Sequence, residues 1–136
     1  MENNYSDCLE IKVIAPADCG NSPRKFLLKD MIIAFARNDI DFITKYTADN
    51  VCWNIVGFKT VSGINEVIEL LQRRNTDKMI EINIHTIITH GKTGAVNGIL
   101  KSGDSKAYEF CNVYHFISTG KNTIKEITSY VIQAAP

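Results

Sequence analysis

The stretch Lys106-Ala107-Tyr108-Glu109-Phe110-Cys111-Asn112-Val113-Tyr114-His115-Phe116-Ile117 alternates so regularly that an extended strand is the conformation that sorts it into two consistent faces. Tyr108, Phe110, Asn112, Tyr114 and Phe116 fall on one face, an aromatic row interrupted by a single amide. Glu109, Cys111, Val113, His115 and Ile117 fall on the other. A row of rings around one polar group suits a wall that is part core and part pocket, because ligand cavities are largely apolar with a few placed polar groups. A chain with such a strand must supply both a sheet to carry it and something to cover the rings.

The rest of the sequence supplies both. Leu9 to Ile14 alternates and reads as a short edge strand ended by Pro16. Ser22 and Pro23 suit a helix cap and first turn, and Phe26, Leu27, Met31, Ile32, Ile33, Phe35 and Ala36 then recur at helical spacing to about Arg37. Asn38-Asp39 closes that helix and opens a short second one, and Asp49-Asn50 reads as a turn. Val51 to Val56 is a strand, Lys59 to Val61 a short return, and Ile64 to Leu71 the apolar face of a third helix.

Beyond the third helix the pattern turns to strands. Met79 to Thr89 places Ile80, Ile82, Ile84, Thr86 and Ile88 on one face. Ala95 to Lys101 follows, with Gly98 marking a bulge or a close approach, and the last strand runs from Thr123 to Gln133. Helices followed by a meander predict an α+β domain with the helices on one sheet face.

At 136 residues one domain is expected, large enough for a core without staples. Fifteen basic and fifteen acidic residues leave no net charge and no basic face, which argues against nucleic acid as a partner. No apolar run is long enough to span a bilayer and no export signal is visible, so no membrane association and a cytoplasmic location are expected. Cys8, Cys19, Cys52 and Cys111 form no zinc pattern, and His85, His90 and His115 lie on separate elements without paired carboxylates. Neither a metal site nor a cofactor is expected, and Cys52 and Cys111 read as small apolar filler in strands.

Several pieces together resemble the nuclear transport factor 2-like superfamily, in its SnoaL-like and ketosteroid-isomerase-like branch. They are Ile33 to Asp39 before a short helix, Asp49 to Gly57, Val61-Ser62-Gly63 before the third helix, Cys111 to Phe116, and Ile124 to Tyr130. The resemblance spans roughly residues 24–133. It implies a cone in which a curved antiparallel sheet wraps around the long first helix, with two further short helices, an apolar pocket at the open end and dimerisation through the outer sheet face.

The resemblance also allows branch-by-branch comparison of chemistry. A ketosteroid isomerase uses a carboxylate base with a tyrosine and a protonated aspartic acid as donors. The corresponding positions here fall on Asn54, Met31 and Asn112, which cannot supply that set. The Asp–Arg–Asp group of epoxide-hydrolase-like members is also missing, since no arginine follows Arg74.

The sequence thus predicts a small-molecule-binding domain whose pocket involves Asn112, Tyr114, Phe110, Trp53, Asn54 and Met31, holding a small apolar molecule. The enzymatic alternative is a lyase, isomerase or cyclase acting on a ring-like apolar substrate, with His85 or Tyr114 as the acid–base group. A second alternative is a non-catalytic dimerisation or protein-binding module. Val113, Ile117, Tyr130 and Ile132 on the outer face favour a homodimer.

Overall fold

Helix punctuation sets the frame. In the computed structural model, which describes residues 11–17, 22–73 and 78–135, the first helix, α1, spans Pro23–Arg37. Ser22 is extended, and its Oγ accepts a hydrogen bond from the Lys25 amide at 3.3 Å, satisfying one of the free amides of the first turn. At the other end Asn38 adopts a left-handed φ of 56°, which asparagine tolerates better than most residues. The Asp39 amide then reaches back to the Ala34 carbonyl at 2.9 Å. Asp39 in turn caps α2 (Ile40–Tyr46), its carboxylate accepting from the Phe42 amide at 3.2 Å.

The strands are β1 (Lys12–Ile14), β2 (Thr47–Ile55), β3 (Lys59–Ser62), β4 (Met79–His90), β5 (Thr93–Ser102), β6 (Ala107–Ser118) and β7 (Lys121–Gln133), and α3 (Ile64–Arg73) lies between β3 and β4. They form one curved, unclosed sheet in the order β1-β4-β5-β6-β7-β2-β3. The run from β4 to β7 is the expected antiparallel meander. The sheet as a whole is mixed, because β1 joins β4 and β2 joins β7 in parallel. Asp49 and Asn50, expected to turn, instead lie within β2, where the pairing with β7 is irregular between Thr47 and Cys52.

Two features bend the sheet. Along β4, Ile84 pairs with Gly98 and Thr86 with Asn97, leaving His85 as the extra residue of a bulge. A Cβ on Gly98 would collide with the Asn83 carbonyl, so the strand opposite the bulge approaches too closely for any side chain. The bulge also corrects the expected face of β4. Ile82 and Ile84 are buried, but beyond His85 the alternation flips, so Ile87 is buried while Ile88 is 58% exposed. Ile80 is exposed as well, beside a second register shift between Met79 and Glu81.

The inner face packs on α1 through Leu28, Met31, Ile82, Val96, Tyr114, Phe116, Ile124 and Ile127, all buried. One end of the cone is fastened by Arg24. Its guanidinium lies 4.0 Å from the centre of the Phe116 ring. It donates to the carbonyls of Gly91 and Lys121, both at 2.8 Å, and to those of Thr119 and Ser118 at 3.2 and 3.3 Å. A further bond reaches the Asn122 side chain at 3.3 Å. The first turn of α1 is thereby tied to the β4–β5 and β6–β7 turns together, a role that nothing in the hydrophobic pattern announces.

Candidate functional site

At the end of the cone away from Arg24, the sheet and helices leave a cavity of about 400 Å3. The last turns of α1 contribute Ile32, Phe35, Ala36 and the capping Asn38, and α3 contributes Leu70. Trp53, Ile55 and Phe58 come from β2 and the turn after it, Met79 and Leu100 from β4 and β5. Tyr108, Phe110 and Asn112 come from β6, and Ser129 and Val131 from β7. Phe58 is 68% exposed and Val131 48%, which places them at the mouth.

Among the described residues, no charged side chain lines this space. Its polar groups are few and mostly spoken for. Asn38 donates from Nδ2 to the Leu71 carbonyl at 3.2 Å, satisfying a free carbonyl near the end of α3. Trp53 packs edge-on to Phe35, ring centres 5.1 Å apart, and its Nε1 donates to Ser129 Oγ at 2.9 Å. Ser129 pairs directly with Asn112 across the β6–β7 ladder. Asn112 donates from Nδ2 to Tyr114 Oη at 3.1 Å, and its Oδ1 is buried without a hydrogen-bond partner.

An orphaned carbonyl oxygen of this kind costs about 1–3 kcal/mol if nothing ever meets it. Tyr114 is fully enclosed, and burial pushes its phenol well above the ordinary tyrosine range, while the bond from Asn112 opposes that shift to a smaller degree. It stays a neutral hydroxyl at any physiological pH.

The residues expected at the site divide accordingly. Asn112, Phe110 and Trp53 line the cavity, and Tyr114 stands behind Asn112 as its hydrogen-bond partner rather than on the wall. Met31 is fully buried in the core and does not line the cavity. Asn54 is placed differently from expectation: strand alternation that turns Trp53 inward turns its neighbour outward, and Asn54 is exposed, accepting from Thr60 Oγ1 across the β2–β3 hairpin at 3.1 Å. His85, the exposed residue of the β4 bulge, is not part of the wall. The pattern gave no sign of Ser129's bond to Trp53, and Asn38 was legible only as a helix stop.

The sequence model of the SnoaL-like domain matches residues 28–123. The chain belongs to the SnoaL-like domain family. No curated protein sequence matches it. Solved structures carry the same fold across the SnoaL-like branch and its neighbours. A protein of Shewanella denitrificans OS-217, assigned as a SnoaL-like polyketide cyclase, superposes with a TM-score of 0.70 at 16% identity, covering 82% of this chain and 92% of that one. An LEH-like epoxide hydrolase of M. tuberculosis gives 0.63 at 20% identity, covering 78% of this chain and 80% of its own. An NTF2-like protein of unknown function from Cytophaga hutchinsonii ATCC 33406 gives 0.60 at 22%, covering 79% and 97%. Among the described residues of this SnoaL-like chain, no helix is long and apolar enough to cross a membrane, and no group of three or more His, Cys, Asp or Glu side chains is arranged to hold a metal.

Proposed function

We propose that this SnoaL-like domain binds a small, mostly apolar molecule in the cavity between α1 and the sheet. The observation that carries the reading is a largely hydrocarbon cavity with no charged side chain among its described lining residues and with Asn112 among them. The cyclase and epoxide hydrolase assignments of fold relatives keep a reaction on an apolar substrate in view. The residues here do not favour it. Among the described lining residues no carboxylate or histidine stands on the wall to act as a base at neutral pH. Binding without turnover is therefore the better-supported reading.

The test is occupancy. Native mass spectrometry of protein purified from cells should detect a co-purified small molecule, and indane, a neutral bicyclic hydrocarbon, should perturb the Trp53 indole resonance in 1H–15N spectra. The variant Ala36→Trp, which puts a large ring into the cavity from α1, should abolish the indane response while keeping the fold. Absence of any indane response up to its solubility, or an unchanged one in Ala36→Trp, would count against the reading.

A homodimer through the outer sheet face is part of the proposal. Tyr130 and Ile132 are 47% and 71% exposed on that face of β7, and Ile117 on β6 is exposed too. Sedimentation of the unmodified chain at micromolar concentration should give a dimer and Ile132→Asp a monomer; a monomeric parent removes this part.

A further inference from the structure

The open polar atoms of the lining lie toward the mouth of the cavity, not at its inner end. α1 runs from Arg24 at the fastened end to its cap at Asn38, and β6 runs the other way, from Tyr108 toward the Phe116 ring on which Arg24 stacks. Asn38 and Tyr108 both line the cavity and both stand at its outer end. At the inner end the polar groups are engaged or enclosed: the Trp53 N–H is bonded to Ser129, itself 4% exposed, and Asn112 Oδ1 is shut away. Among the described residues Asn112 Oδ1 is the only enclosed side-chain nitrogen or oxygen without a hydrogen-bond partner. Asn38 Oδ1 and Tyr108 Oη have no partner among those residues either and belong to half-buried residues, so both atoms are accessible. The Leu71 carbonyl can only accept, so Nδ2 of Asn38 faces it and Oδ1 is left as an acceptor held in place from behind.

The outer lining thus offers one acceptor, Asn38 Oδ1, and one hydroxyl that can donate, Tyr108 Oη. An ester or a carboxylate brings acceptors alone and has nothing to give Asn38. An ammonium brings donors alone and would find no carboxylate among the described lining residues. A carboxamide carries both kinds of group without a charge. We propose that the cavity takes a neutral amphiphile hydrocarbon end first and holds it near the mouth by an amide group, whose N–H is donated to Asn38 Oδ1 and whose carbonyl accepts from Tyr108 Oη. The ligand class is amides on an apolar ring body. This rests on the binding reading above and narrows it.

The experiment compares three probes of one skeleton on the unmodified chain: indane, indane-2-carboxamide and methyl indane-2-carboxylate, titrated by NMR with the Trp53 indole and Asn38 side-chain amide signals as reporters. The expected result is the carboxamide binding about fivefold or more tightly than the ester, the scale of one hydrogen bond. Asn38→Gly, in which glycine adopts the left-handed backbone without strain, should erase that preference and leave indane affinity within about twofold. Tyr108→Phe keeps the ring and should weaken carboxamide and ester alike by about fivefold, because both carry the carbonyl, with indane unaffected. The ratio in the unmodified chain and the Tyr108→Phe result stand whether or not Asn38→Gly folds. Equal binding of carboxamide and ester, a preference that survives Asn38→Gly, or unchanged carboxamide binding in Tyr108→Phe overturns the amide assignment and, with indane still bound, leaves the apolar cavity reading standing. Failure of all three probes to bind removes both.

Discussion

Asn112 donates its amide hydrogen to the Tyr114 hydroxyl two residues along the same face of β6, at 3.1 Å, while its own carbonyl oxygen is buried without a hydrogen-bond partner. Each group is costly to bury alone and the pair is only half satisfied. Tyr114→Phe should therefore destabilise the chain by about 1–3 kcal/mol, since it strands the second end of the amide as well. The double variant Asn112→Leu with Tyr114→Phe should be closer to the parent than the sum of the single changes, because matched removal of both partners leaves nothing unpaired. Urea denaturation of the four proteins closes this cycle; additive losses would show that the bond carries no coupling.

Alkali should act through the same phenol. The folded-state pKa of Tyr114 lies above its unfolded value near 10, burial being the main cause. Above that pH the unfolded chain releases a proton that the folded chain retains, so the Tyr114 contribution is full below about pH 10 and is lost as pH rises through the folded value. Stability measured across pH 8–12 should fall less steeply above about pH 10 in Tyr114→Phe than in the parent. Parallel curves would contradict the burial argument.

Gly98 faces the other constraint. An added methyl there meets the Asn83 backbone carbonyl, which cannot swing aside as a side chain would. Gly98→Ala is expected to cost about 2 kcal/mol or more in thermal denaturation. Gly120→Ala, whose Cβ would meet nothing within 4 Å, serves as the neutral control.

Arg24 offers a prediction on the far side of the molecule. Its planar fork serves four carbonyls and one amide while stacking on Phe116, a geometry that an ammonium cannot reproduce. Arg24→Lys should lose about 2 kcal/mol and accelerate hydrogen exchange in the turn around Ser118–Lys121. The cavity, which Arg24 does not line, should bind indane as before.

How much of this was legible depended on whether the determinant was local. Ser22-Pro23 and Asn38-Asp39 mark the ends of α1 because caps act over three or four residues. The inward row Tyr108, Phe110 and Asn112 was readable because β6 pairs without interruption along that stretch. The β4 face changes beyond Ile84 without a sign in the strand's own alternation, since the bulge at His85 sits opposite the close approach of Gly98 on the neighbouring strand. Asn54 holds the place of a pocket residue in the family resemblance, but its parity is opposite to that of Trp53, and parity decides its side of the strand. The engagement of Asn112 by Tyr114 and of Ser129 by Trp53 depends on rotamers and on cross-strand register, which periodicity does not encode.

The Arg24 fastening also decides how a guest would travel. With two turns and a ring drawn onto the first turn of α1, the cone is blind at that end, and the exposed Phe58 and Val131 mark the doorway at the other. Under the binding proposed above, a molecule would enter and leave through that one mouth, with its outer end toward the solvent. An enclosed inner end and an open outer one would then constrain a guest's leading part and tolerate length in the rest, so compounds that share one head and differ in their tails would be admitted as a series.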